Sequence, residues 1–439
     1  PNQSDRHSPP QRRPRRPFFD GWFMRLTDPP AGLSIAVVLG LFWRGRKSKD
    51  KLQEGKPSST TKPRGGSQEH YLCVSVAPPR NEGSRWPPLG SAHLFPDPGR
   101  AHFSIANGSS QRQGQNPPSK LPLRQAAIWQ APARGRGRLR YECAEHGVID
   151  IGPGGARCDL HGDSGGKAWK LDIEAIARQA GTGTRAPARE VGADAGGLEP
   201  WSPEGWLGRV AGPLGVLPCR YIVQTTGTPA SYRISAPSGL EASGGLAIEA
   251  QGSGLLHVET NYGQSFPQGW LYAQGSCDRG ARLVLTGGKF KIGPVTPMTW
   301  LLCLRLPGVE PLEFRTTDLD IVRVRILSFE DKELFIEAER PVWGNRGGGA
   351  HGGPLHASVR LKAPKSTFSM DGGLYVPTAD GFMRSPGALE SFVATARVHV
   401  RGLPDGVEAE YWLEGCVFEF GGCFQDQKLC EAAEDVDTF

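Results

Sequence analysis

No run of apolar residues in this sequence approaches the ~20 that a helix needs to cross a bilayer. The longest, Leu33–Trp43, is about half of that and reads as a buried strand followed by basic residues. Helical periodicity is scarce too, while Gly (59) and Pro (38) are abundant in the 439 residues, which favours many turns and short strands over long helices. No C-x-x-C pair with metal spacing occurs. The nine cysteines are odd in number and scattered, with Cys416 and Cys423 seven apart, so neither a zinc site nor a disulfide framework is indicated. Most are expected to be small buried thiols. A signal peptide is also missing from the residues given, and the sequence begins at Pro1 rather than Met, as a fragment or processed form would.

What is present fits a soluble globular chain with room for two or three domains: 38% of residues are hydrophobic and 22% charged. The charge is uneven. Residues 1–66 hold 14 Lys or Arg against 5 Asp or Glu, and the end of the chain is acidic. A basic front of this kind suits a peripheral lipid or membrane surface, or else stays as a solvated arm. No nucleic-acid-binding fold follows it, so nucleic acid is not an expected partner.

Residues 1–17 cannot bury enough apolar surface to fold alone and read as a disordered arm. Order is expected from Phe18, with a hairpin through the DPPAG turn into Leu33–Trp43. Residues 44–69 and 80–138 read as disordered insertions, with His93–Ile105 adding a strand. From Arg138 the segments RLRYECA, GVIDIG and AWKLDIEAI alternate apolar and polar residues. A loose connector at Gly181–Pro203 marks a domain boundary near residue 200, giving an N-terminal β domain over 18–200 and a C-terminal one over 201–430, with an acidic tail at 431–439. The second half is a series of short strands, an all-β barrel or sandwich pattern.

The stretch that organises the chain is residues 254–275. It reads as a hairpin, one strand at Leu255–Thr260 and a second at Trp270–Gly275, around a turn built on Gly263 and Pro267. Alternation puts His257 and Glu259 on one strand face. Asn261, Tyr262 and Gln264 follow in the turn, flanked by Phe266, Trp270 and Tyr272. A few polar groups among many rings is the usual lining of a pocket for an apolar ligand with one polar end.

Three other constellations carry less. GDSGG at residues 162–166 matches the nucleophile segment of trypsin-like proteases, with His102 and Asp150 in the right chain order. The context of His102 and the residue after GDSGG do not fit, and Gly, Asp and Ser are common turn formers. His351 and His356 stand in a glycine-rich loop without a third ligand, so no metal site is assigned. Asn107 opens a glycosylation sequon.

Glu259, Asn261, Gly263, Phe266, Pro267, Trp270 and Gln274 have the spacing E-x-N-x-G-x-x-F-P-x-x-W-x-x-x-Q, which resembles the signature segment of the tocopherol cyclase family. Arg16, Phe18, Phe19, Asp20, Gly21, Trp22, Phe23 and Arg25 resemble the family's opening R-x-F-F-E-G-W-Y-F-R, and Asp380–Met383 is a third match in the family's order. Tyr262 stands where the family has Trp, and Asp20 where it has Glu. The two insertions fall where the family has packed strands.

The resemblance implies two consecutive lipocalin-like antiparallel barrels and an intramolecular cyclisation. Protonating the alkene of a prenylated hydroquinone gives a tertiary cation, which the phenol oxygen captures to close a chromanol ring. The reaction needs an acid, an acceptor for the phenol proton and a dry cavity, but no cofactor. Rings along the path stabilise the cation by ~0.5 to 2 kcal/mol each. Glu259, walled by Phe266, Trp270 and Tyr272, is the expected proton donor, with His257 as its partner and Asp20, beside Trp22, as the second acid. Asn261 and Gln274 are expected to orient the quinol oxygens, and Tyr262 and Trp270 to line the cation's path. The resemblance further implies work at a lipid surface, in plastids where the source is photosynthetic. The alternative is a non-catalytic carrier of a hydrophobic isoprenoid, and water capture of the same cation is a close variant.

Overall fold

The computed structural model describes residues 18–44, 68–77, 90–107, 137–176, 219–291, 295–341 and 354–425, apart from a few short stretches inside these ranges. The arm at 1–17, most of the two insertions, the connector at 181–203, the tail and His351 lie outside them.

The described residues contain strands and 3-10 turns but no α-helix. Eleven strands make the first sheet: β1 (Phe18–Asp28), β2 (Leu33–Trp43), β3 (Gln68–Ala77), β4 (Gly90–Leu94), β5 (Ala101–Asn107), β6 (Gly137–Cys143), β7 (Gly147–Gly152), β8 (Gly155–Ser164), β9 (Lys167–Ile176), β10 (Cys219–Ala236) and β11 (Ile248–Gly263). Nine make the second: β12 (Gly269–Ser276), β13 (Arg282–Lys289), β14 (Met298–Arg305), β15 (Leu312–Arg315), β16 (Ile321–Ser328), β17 (Glu333–Arg340), β18 (Leu355–Lys362), β19 (Ala388–Arg401) and β20 (Ala409–Gly422). All pairings are antiparallel.

Connectivity shows that both sheets curl into barrels. The edges of the first sheet are β4 and β5, which follow one another in sequence. Laid flat, eleven strands would hold those edges about 48 Å apart. The link from Leu94 to Ala101 reaches at most about 25 Å. The second sheet repeats the device with β15 and β16 at its edges, joined by a 3-10 turn at Thr316–Asp318. Asp320 fastens that seam, accepting from the Arg315 backbone N–H at 2.9 Å and from Arg340 Nε at 3.1 Å. Each barrel is filled with side chains. Met24, Leu26, Val37, Leu72, Leu160 and Leu256 are among those inside the first, and Leu283, Phe314, Ile336, Val359 and Phe418 inside the second.

Three expectations change here. The organising stretch is two strands around a turn but not a hairpin. β11 pairs with β1 and β10, whereas β12 pairs with β13 and β20, so the chain crosses between barrels at residues 264–268. The division expected near residue 200 does not coincide with that crossing, because β10 and β11 complete the first sheet. Gly162, Asp163 and Ser164 of GDSGG end a strand, β8, and β5, which bears His102, is three strands away from it. That is about 14 Å along the sheet. Asp150 faces Arg140 at 3.8 Å instead of a histidine, so no protease triad exists. The expected small thiols hold: Cys73, Cys143, Cys158, Cys277, Cys303 and Cys416 are buried and free.

Candidate active site

With both interiors filled, the space for a ligand lies between the barrels. Phe23, Tyr221 and Val223 of the first barrel pack against Trp270, Tyr272, Val284, Phe392 and Val417 of the second, and within this layer is a cavity of about 210 Å³. Eleven aromatic residues border it, among them Phe19, Phe266, Trp270, Tyr272 and Phe382. Its acidic borders are Asp20, Glu259 and Glu419.

Glu259 reaches this layer because β11 alternates: Leu256 and Val258 turn into the first barrel, so His257 and Glu259 turn out of it. Glu259 is 3% exposed, and its Oε2 is met by three groups. The phenols of Tyr221 and Tyr272 donate to it at 2.5 and 2.8 Å, and His257 Nε2 lies 2.7 Å away. Burial, with Glu259 beside them, pushes both phenols well above their usual range, so both stay neutral donors. His257 Nδ1 is buried without a partner, so Nε2 is the ring nitrogen engaged by Glu259. The expectation of a carboxyl walled by rings alone therefore missed its donors. With three groups meeting it, Oε2 is placed as an acceptor.

Glu419 faces the cavity from the second barrel. On β20 Phe418 and Phe420 fill that barrel, so Glu419 points outward, opposite Tyr272 in register. Burial raises its carboxyl from 4.5 to about 7, opposed by the Trp270 indole N–H, which donates to Oε1, and by Glu390. Trp270 lies flat over Gly421, where a Cβ would stand 1.8 Å from the ring. Gly421→Ala should therefore cost about 1–3 kcal/mol by overpacking and loosen the indole from Glu419. Urea denaturation followed by tryptophan fluorescence checks it, and a variant as stable as the parent would contradict this account of the Trp270 seat.

Asp20 is half-buried, and desolvation raises its carboxyl from 3.8 to about 7, with Thr260 and Trp22 opposing. Thr260 Oγ1 lies 2.9 Å from the Gly21 carbonyl and 3.3 Å from Asp20 Oδ1. The Thr260 hydroxyl can donate to either acceptor, and its bond to Asp20 works against the desolvation of that carboxyl. Asp20 and Trp22 alternate with Phe19 and Phe23, however, and so turn toward the first barrel's interior, bordering the cavity from that side.

Of the other expected residues, Asn261, Phe266 and Trp270 border the cavity, and His257 stands behind Glu259. Tyr262 does not border it. Its ring lies on the opposite face of β11 from Asn261, 6.5 Å from that of Phe18. Gln274 shares the face of Tyr272 but is taken by Arg25, whose Nη1 donates to its Oε1 at 2.6 Å. Arg25, on β1 and 1% exposed, also donates to Ser34 Oγ at 3.1 Å and to the Gly415 carbonyl on β20, so it joins the barrels. Phe382, in the third matched segment, packs on Gly40 and Tyr71 and borders the cavity.

Tyr221, Glu390 and Glu419 are not among the residues the sequence points to. The signal for Glu419 was an acid between Phe418 and Phe420 in a strand read as apolar. Among the described residues no group of three or more His, Cys, Asp or Glu side chains could hold a metal ion. His356 instead stands 3.9 Å from Glu339.

No protein-family model matches this sequence. No curated protein matches it either. Among solved structures the chain is similar to CghA at 11% identity and a TM-score of 0.45, over 93% of this chain and 89% of that one. It is also similar to a protein described as AttH (NE1406) from Nitrosomonas europaea, at 11% identity and a TM-score of 0.37, over 93% and 92%. Kievitone hydratase from Nectria haematococca is 9% identical with a TM-score of 0.37, over 95% of this chain and 92% of that one.

Proposed function

We propose that this protein is an enzyme that closes the chromanol ring of a prenylated hydroquinone by protonating its alkene. One observation carries the reading: two buried glutamates, Glu419 with its carboxyl raised by burial and Glu259 ringed by donors, stand on opposite barrels around one aromatic cavity. Glu419, on the cavity face, is the proton donor, and Asp20 is the second acid. Proton transfer from the Glu419 O–H to the alkene carbon leaves a tertiary cation, flanked by Trp270, Phe266 and Tyr272. The phenol oxygen then bonds to the cationic carbon, and its proton passes to Glu259, which His257, Tyr221 and Tyr272 hold in place. Asn261 orients the ring oxygens. The product is an isomer of the substrate, so no cofactor enters the balance.

The test is incubation of the purified protein with a phytylated hydroquinone under argon, with chromatography for the chromanol. Turnover is expected to fall as pH rises through about 7, because the donor must carry its proton and Glu419 loses it there. Binding without conversion would instead support a carrier. Water capture in place of phenol capture would appear as a tertiary alcohol.

A further inference from the structure

Glu390 borders no part of the cavity, yet it is 1% exposed on β19. Its register partner on β20 is Glu419, whose own partner on β12 is Tyr272. Cross-strand partners point the same way with Cβ atoms about 5 Å apart, so Tyr272, Glu419 and Glu390 form one rung facing the first barrel. No donor among the described residues reaches either carboxyl oxygen of Glu390. The titratable groups around it are Arg25 from β1, Tyr71 and Cys73 from β3, and Glu419. Arg25 directs its hydrogen bonds to Ser34, Gln274 and Gly415, while burial holds Tyr71 and Cys73 neutral, the thiol at about 11. A bare carboxylate at Glu390 would lack every hydrogen bond and face a second carboxyl. The satisfied arrangement is a protonated Glu390 that gives its O–H to Glu419.

We propose that Glu390 is a positioning residue, a carboxylic acid held neutral behind Glu419, whose hydrogen bond sets the pH range over which Glu419 delivers its proton to the cavity. This rests on the reading of Glu419 as the donor. When the Glu419 O–H breaks and the C–H bond of the cation forms, the new carboxylate accepts from Glu390. The phenol proton taken by Glu259 must return to Glu419 before the next turnover, so the cycle closes without net proton uptake. Burial and the Glu419 charge push Glu390 well above the usual carboxylate range, in keeping with this order.

Isotope-edited infrared spectroscopy of the ligand-free protein, with ¹³C-labelled glutamate to exclude Asp20, tests the pairing without any turnover. The parent should show one protonated carboxyl band that titrates near pH 7 and a second that persists into alkaline solution. Glu390→Leu should remove the persistent band and move the other upward by about one pH unit, the size of one lost charge-assisted hydrogen bond. Glu390→Gln should also remove it while leaving the first nearly in place, since its amide still donates, and it serves if the Leu variant does not fold. A persistent band that survives both substitutions, or a first band unmoved by Leu, overturns the proposal. If the bands behave as expected while the parent makes no chromanol, the cyclase reading fails and the carboxyl pair stands. In a cyclising protein the alkaline limb of turnover should move with the first band.

Discussion

Glu259→Gln should lower chromanol formation by about 10²–10⁴-fold while leaving the fold intact, the range for loss of a positioned proton acceptor. The amide has the shape of the carboxylate and its oxygen can still accept from Tyr221 and Tyr272, so the buried phenols keep a partner. What it cannot do is take the phenol proton. Near-UV circular dichroism and the thermal midpoint should match the parent, which separates a chemical loss from an unfolded one. If the Gln variant cyclises as fast as the parent, Glu259 is not in the reaction. Tyr221→Phe should be milder, because two groups still meet the same oxygen.

The second large effect is on stability. Arg25→Met should cost about 3–5 kcal/mol, the range for removing one member of a buried charged network. Burial lowers the guanidinium to about 10, with Cys416, Tyr272 and Glu390 opposing, so it stays charged at neutral pH. Met fills a similar length but leaves the buried Gln274 Oε1 and the half-buried Gly415 carbonyl without their donor. Because those groups belong to the second barrel and Arg25 to the first, the loss should appear as uncoupled unfolding of the two barrels in urea. Arg25→Lys keeps the charge but not the planar fork, and should fall between. A Met variant within about 1 kcal/mol of the parent would show that the barrels are held by their apolar layer alone.

The parts of this architecture legible in the sequence were local. The DPPAG hairpin forms between Asp28 and Leu33, and alternation alone put His257 and Glu259 on one face. β8 was lost because Gly162, Asp163 and Ser164 read as a turn, although Ala156, Cys158 and Leu160 alternate into the core. That β11 and β12 part company was not legible, since a strand, a turn and a strand look alike whether the two pair or diverge. Their partners, β1 and β20, lie far along the chain. The composition change near residue 200 suggested a boundary that the sheets do not follow. Glu390 and Glu419 were hidden because an acid in a strand is ordinarily a solvent-facing residue, and only packing of a second barrel buries it.

In both barrels the first strand is hydrogen-bonded to the last: Phe19 lies opposite Gly263, and Gly269 opposite Gly422. During synthesis β1 must therefore wait for more than two hundred further residues before its partner leaves the ribosome. Loop closure over such a separation is slow. Until then the apolar strands β1 and β2 present an unsealed edge, and nascent-chain chaperones are the natural cover for it.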